Sequence, residues 1–214
     1  MRVYVHGAGR TGRDAWPNAS PDDALFAEFD SALSLDARVD EIAILTPPAA
    51  VVIAHSAGAV PSVLAVSRRK MSPRALVLVE PALYDVARGA PAIERHIERM
   101  TAARRRADAG DLFGFWEIVR PMMFGAAAER DAWEAERERA FRFAAVDLPW
   151  GHGIAARALT GIPTLVVTGA WNDEYEAIGA ALADAGATHV ALAGYGHRPQ
   201  DHPHFEDTVR NVLG

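Results

Sequence analysis

Short β-branched and apolar runs alternate along the chain with longer amphipathic stretches, a rhythm that predicts strands interleaved with helices. Residues 2–5 (Arg-Val-Tyr-Val) read as a first strand, and residues 24–29 (Ala-Leu-Phe-Ala-Glu-Phe) as a short second strand ending at Asp30. Between them, Gly7 to Pro21 carries turn formers and no helical period. From Ser31 to Leu45, apolar residues fall at Leu33, Leu35, Val39, Ile42 and Leu45, close to a helical repeat that Pro47-Pro48 ends. A buried strand follows at Val51–Ala54, then a helix to about Arg68, with Pro61 tolerable in its first turn. Leu76–Val79 is the next strand, closed by Glu80-Pro81.

Residues 83–158 change character. Arginine, glutamate and alanine dominate, no strand is evident, and helical periods run over about 91–108, 111–123 and 128–144. Strand character returns at 164–167 and 189–192, with helices expected at about 174–185 and 203–213. Strands alternating with helices imply an α/β fold: a mostly parallel sheet of about six strands with helices on both faces. The all-helical block is then an insertion, dividing the chain into a core (1–82 and 159–214) and a helical segment (83–158).

Composition narrows the chemistry. The 214 residues are 50% hydrophobic and 23% charged, an ordinary globular balance. A net charge of −6 argues against nucleic acid or an anionic membrane as the main partner. Cysteine is absent, which excludes disulfides, thiolate catalysis and cysteine metal sites. No apolar stretch approaches the roughly 20 residues of a membrane span, and the N-terminal residues lack the apolar core of a signal peptide. The expectation is a soluble, cytoplasmic protein with a small-molecule partner, as a monomer or homodimer.

The first strand–helix junction after Pro48 carries a candidate nucleophile. Ala54-His55-Ser56-Ala57-Gly58 is the G-x-S-x-G elbow with Ala54 at its first position. A strand turning sharply into a helix lifts the central hydroxyl out of the fold, and the positions two before and two after must be small. Past the last strand, Gly194-Tyr195-Gly196-His197 places a histidine at the same carboxyl edge of the sheet, where it can take the serine proton and return it to a leaving group. An acid to orient His197 has two candidates. Asp173 follows the 164–168 strand and is preferred; it could equally cap the next helix. Glu80 closes the 76–79 strand, where a buried carboxylate requires a partner. After the first strand, His6-Gly7-Ala8-Gly9 offers backbone N–H groups. Ala57 and Ala8 are the expected donors to a developing oxyanion.

These features together resemble the α/β-hydrolase superfamily, in the order nucleophile, acid, histidine. The resemblance runs through His6-Gly7, the Ala54–Gly58 elbow, the 83–158 insertion in the lid position, the Gly169–Asp173 turn and Gly196-His197. It implies Ser56 as nucleophile, His197 as base and Asp173 as acid, with Glu80 the second choice. It also implies a fold lacking the usual first two strands, a lid over an apolar pocket, no cofactor and a carboxylesterase-like activity on a small, mostly apolar ester or related acyl compound. Gly7, Arg10, Trp116, Met122 and Met123 are the expected pocket residues.

Two other readings compete. The same fold could bind a ligand without turnover. Gly7-Ala8-Gly9-Arg10-Thr11-Gly12 also fits G-x-G-x-x-G, with Asp30 downstream, as in nucleotide-binding oxidoreductases. That fingerprint needs a helix starting within the glycines, and Gly12, Pro17 and Pro21 oppose one. A metal is not expected: His197, His202 and His204 cluster in sequence, but no H-E-x-x-H is present.

Overall fold

The computed structural model describes residues 1–29 and 33–214. Asp30 and Ser31 lie outside the described residues, and the second strand covers Ala24–Phe26, shorter than the 24–29 drawn from the sequence. Six strands form one parallel sheet: β1 (Arg2–Val5), β2 (Ala24–Phe26), β3 (Val51–His55), β4 (Ala75–Val79), β5 (Thr164–Thr168) and β6 (Thr188–Ala191), in the spatial order β2-β1-β3-β4-β5-β6. The register is unbroken through the centre, with Ile53 beside Tyr4 on one side and Val77 on the other. Strands β3, β4 and β5 are buried along their whole length, which is why they read as continuous apolar runs rather than as alternating ones. Edge strand β6 has both ends exposed.

One face of the sheet presents Tyr4, Ile53, Val77 and Val167 to Trp16 and to Phe205 and Val209 of the C-terminal helix, α7 (Phe205–Leu213). Helices α1 (Leu35–Leu45), α2 (Ala59–Ser67) and α6 (Asp173–Asp184) connect strands that all advance in one direction across the sheet. Right-handed crossovers put these three on the opposite face. The β1–β2 connection advances the other way, and its Trp16 accordingly packs beside α7. Strand order thus reverses between β1 and β3, and loops leaving the two strands there diverge to opposite faces, opening a crevice at the carboxyl edge.

Local signals set the helix ends. Ser34 caps α1 by accepting from the Ala37 N–H, so that helix starts four residues later than its apolar period suggests. Asn172 caps α6 through the Glu174 N–H. The Gly7–Gly12 segment leads into a single 3-10 turn, Gly12–Ala15, and not into the helix that a dinucleotide fingerprint needs.

The chain divides into two compact units, Met1–Arg88 with Pro149–Gly214, and Gly89–Leu148. The second is shorter than the 83–158 insertion drawn from the sequence. It consists of α3 (Pro91–Asp108), α4 (Leu112–Phe124) and α5 (Trp133–Ala145) around a core of Ala103, Phe115, Trp116, Val119 and Ala140. Residues 83–88 and 149–158 belong to the first unit, where they are tied to each other. The Asp85 carboxylate accepts from the backbone N–H groups of Gly151, His152 and Ile154, at 2.7, 2.9 and 3.2 Å.

Candidate active site

Strand β3 ends at His55, and the next residue turns the chain. Ser56 has φ +52°, a left-handed conformation that L-residues avoid unless their surroundings enforce it. The enforcement is steric. A Cβ on Gly58 would stand 2.3 Å from the His6 carbonyl oxygen, and one on Gly7 would stand 2.8 Å from Ser56 Cβ. Glycine at both positions lets the loop after β1 lie directly against the elbow. Ala54 is fully buried in β3, paired between Val5 and Leu78, and its methyl group fits where the motif has glycine.

His197 lies in the loop after β6, and its ring meets two partners. Nε2 is 3.0 Å from Ser56 Oγ, and Nδ1 is 3.2 Å from Glu80 Oε2. Glu80 is fully buried. Its Oε1 accepts the Gly169 N–H at 2.6 Å, and its Oε2 also accepts the Trp171 indole N–H at 2.9 Å. A buried carboxylate so surrounded by donors is an acceptor at every contact. The proton therefore sits on His197 Nδ1, leaving Nε2 to accept from the Ser56 hydroxyl.

The preference for Asp173 is corrected here. Asp173 is the exposed first residue of α6, and among the described residues it makes no hydrogen bond to His197. Glu80 holds that position because β4 lies between β3 and β5, and a left-handed bend at φ +44° ends the strand beneath the imidazole. Carboxylates in both turns looked alike in sequence, since each follows a strand.

Two further histidines buttress the centre. His55 Nε2–H donates to the His197 carbonyl oxygen at 2.8 Å, and the two rings lie 4.7 Å apart. Burial, with the neighbouring His197 adding to it, pushes the His55 pKa down to about 3, so this ring is neutral. His6 is likewise buried with its pKa lowered, chiefly by desolvation. Its Nδ1–H donates to the Gly7 carbonyl at 2.7 Å, and its Nε2 accepts the Phe29 N–H at 3.2 Å. The Gly7 carbonyl and the Ala8 N–H share one trans peptide plane and point in opposite directions. Holding the carbonyl on His6 thereby aims the Ala8 N–H the other way. Ala57, just after Ser56, lies in the 3-10 turn Ser56–Gly58.

Other sequence-predicted residues fall in different settings. Arg10 is exposed on the loop after β1. Trp116 is fully buried inside the helical unit, its indole N–H donating to Glu136 at 2.6 Å. This satisfied core role sets it apart from half-buried Met122 and exposed Met123 on the same helix. Aromatic neighbours of His197 were not anticipated: Tyr175 at 5.0 Å and Trp171 at 6.0 Å between ring centroids. Their signal was present, because residues just after a parallel strand's carboxyl end border this edge. Among the described residues, no group of three His, Asp or Glu could hold a metal ion, and no helix is long and apolar enough to cross a membrane.

The same fold recurs in many solved structures. The chain is similar to a hydrolase from Oleispira antarctica (13% identity, TM-score 0.65, covering 100% of this chain and 90% of that one). It is similar to MenH from S. aureus (15%, 0.64, 99% and 92%). A thermophilic esterase from Thermogutta terrifontis is a third such structure (16%, 0.62, 100% and 90%). The chain has the α/β-hydrolase fold. No protein-family model matches the sequence, and no curated protein matches it.

Proposed function

We propose that the chain is a serine hydrolase acting on a small, mostly apolar ester or related acyl compound. One observation carries this reading: the continuous path from Glu80 through His197 to Ser56, with contacts of 3.2 and 3.0 Å, ending on a serine in a left-handed turn. Carboxylesterases and other hydrolases among the structures of the same fold support the reaction class.

In this mechanism His197 Nε2 removes the Ser56 proton as Oγ attacks the acyl carbon. Glu80 keeps the proton on Nδ1 and stabilises the imidazolium that forms. The amides of Ala8 and Ala57 receive the oxyanion. His197 returns its proton to the departing oxygen, then activates water to release the acyl group from Ser56.

Labelling with a fluorophosphonate, which reacts with activated serines, tests the reading. The expected result is a single adduct on Ser56 that is absent from Ser56→Ala, together with turnover of short-chain esters. Folded protein that takes up no label and cleaves no acyl substrate overturns it.

A further inference from the structure

The turn after β5 does not supply the acid, yet it contributes a different group. Tyr175, in the first turn of α6, is buried, and its phenol lies close to the side chains of Ser56 and Tyr84. Its ring lies against His197 at 5.0 Å with an interplanar angle of 34°, and Trp171 flanks it at 6.1 Å. Tyr84 is itself anchored, its hydroxyl donating to Glu174 at 2.9 Å. The phenol is therefore fixed on several sides, with its polar end at the nucleophile.

Sheet order decides which part of a substrate that hydroxyl meets. Ser56 closes β3; the loop carrying Ala8 leaves β1 on one side of it, while Glu80, Tyr175 and His197 follow β4, β5 and β6 on the other. A carbonyl oxygen seated on the Ala8 and Ala57 amides points toward the β1 side. The atom that departs must lie on the opposite side, because His197 Nε2 has to reach it with a proton. Tyr175 occupies this second flank.

We propose that Tyr175 is a further catalytic residue of the centre, given the serine-hydrolase reading on which this rests: its hydroxyl donates a hydrogen bond to the oxygen that leaves the acyl carbon. As the C–O bond breaks, its electron pair goes to that oxygen, and the proton arrives from His197 Nε2. Tyr175 keeps its own proton throughout and stabilises the charge that accumulates before transfer is complete. Burial and the nearby Glu80 push its pKa up, so the phenol is a donor across the working pH range. In deacylation the attacking water takes the same place, held by the same hydroxyl.

The dependence on leaving group distinguishes this role from packing. Tyr175→Phe keeps the ring against His197 and removes only the oxygen. Measured on 4-nitrophenyl, phenyl and ethyl esters of butyric acid, the loss in kcat/KM should grow with the basicity of the alcohol. The ethyl ester should lose about tenfold or more beyond the 4-nitrophenyl ester, within the range of a single transition-state donor. In the unmodified protein, kcat/KM should fall only gently along the same series, and in the variant steeply. Equal losses on all three esters, or equal slopes in the two proteins, overturn the proposal while leaving the hydrolase reading intact. Fluorophosphonate labelling separates the two: a wild-type protein that is unlabelled at Ser56 and cleaves none of the esters overturns the hydrolase reading itself, and a labelled Ser56 in the variant shows that nucleophile and base survive the change.

Discussion

His55 holds the main chain of His197: its Nε2–H reaches the His197 carbonyl oxygen at 2.8 Å, 142 residues along the sequence. The residue immediately before Ser56 thus fixes the loop that bears His197. Removing this donor leaves a part-buried carbonyl unpaired. His55→Phe should cost about 1–3 kcal/mol in urea unfolding and lower kcat by loosening the Ser56–His197 distance. His55→Gln, which retains a donor, should recover part of both.

Acid should weaken the fold through the same residue. The His55 pKa is pushed down to about 3 in the folded chain, against 6.5 for the free side chain. Above pH 6.5 both states are neutral there, and its contribution to stability is fully present. Below that, the unfolded chain takes up a proton that the folded chain refuses, so stability falls as pH drops, and the loss stops growing only near pH 3. The slope approaches about 1.4 kcal/mol per pH unit for one such group, and His6, lowered in the same direction, adds to it. Urea midpoints between pH 7.5 and 4 should show the decline, and His55→Phe should flatten it.

Glu80 and Asp173 are separated by paired substitutions. Glu80→Gln keeps the shape but removes the charge and turns one of the two acceptor oxygens into an N–H donor, and on the proposed mechanism kcat should fall about 10³–10⁴-fold. Asp173→Asn should leave kcat within a factor of about two. It should cost roughly 0.3–1 kcal/mol of stability from the first turn of α6. Steady-state kinetics on one activated ester measures both.

The close approach of Gly7 to the elbow makes it sensitive to a single methyl group. Gly7→Ala would bring a carbon to 2.8 Å from Ser56 Cβ, so the loop must retreat and carry the Ala8 amide with it. The expected loss in kcat is about 10²–10³-fold, the value of one oxyanion donor. Gly58→Ala meets main chain instead, at 2.3 Å from the His6 carbonyl, and should show mainly as a lowered Tm.

Strand positions were readable in the chain because the central strands are buried on both faces and written in β-branched residues. Periodicity likewise placed α3 over Pro91–Asp108. The meeting of Ser56 and His197 was legible since an elbow imposes small neighbours and a glycine-flanked histidine follows the last strand. The carboxylate beside His197 was harder to place. Asp173 and Glu80 each follow a strand, and only the bend at Glu80 and the donors around it, Gly169 and Trp171, tell them apart. Tyr175 could be placed at the sheet edge from its position after β5, but its contact with His197, like that of His55, depends on which loops the sheet order brings together.

The grip of Asp85 on the N–H groups of Gly151, His152 and Ile154 has a bearing on how such a chain can vary. It staples the outgoing and returning ends of a long excursion, so the sheet need not sense what happens beyond the staple. Loop-closure entropy rises only as the logarithm of loop length, and with the base pinned, lengthening, shortening or rewriting the excursion has little effect on the framework. Sequence change can therefore accumulate in one segment while the framework at the sheet edge stays unchanged.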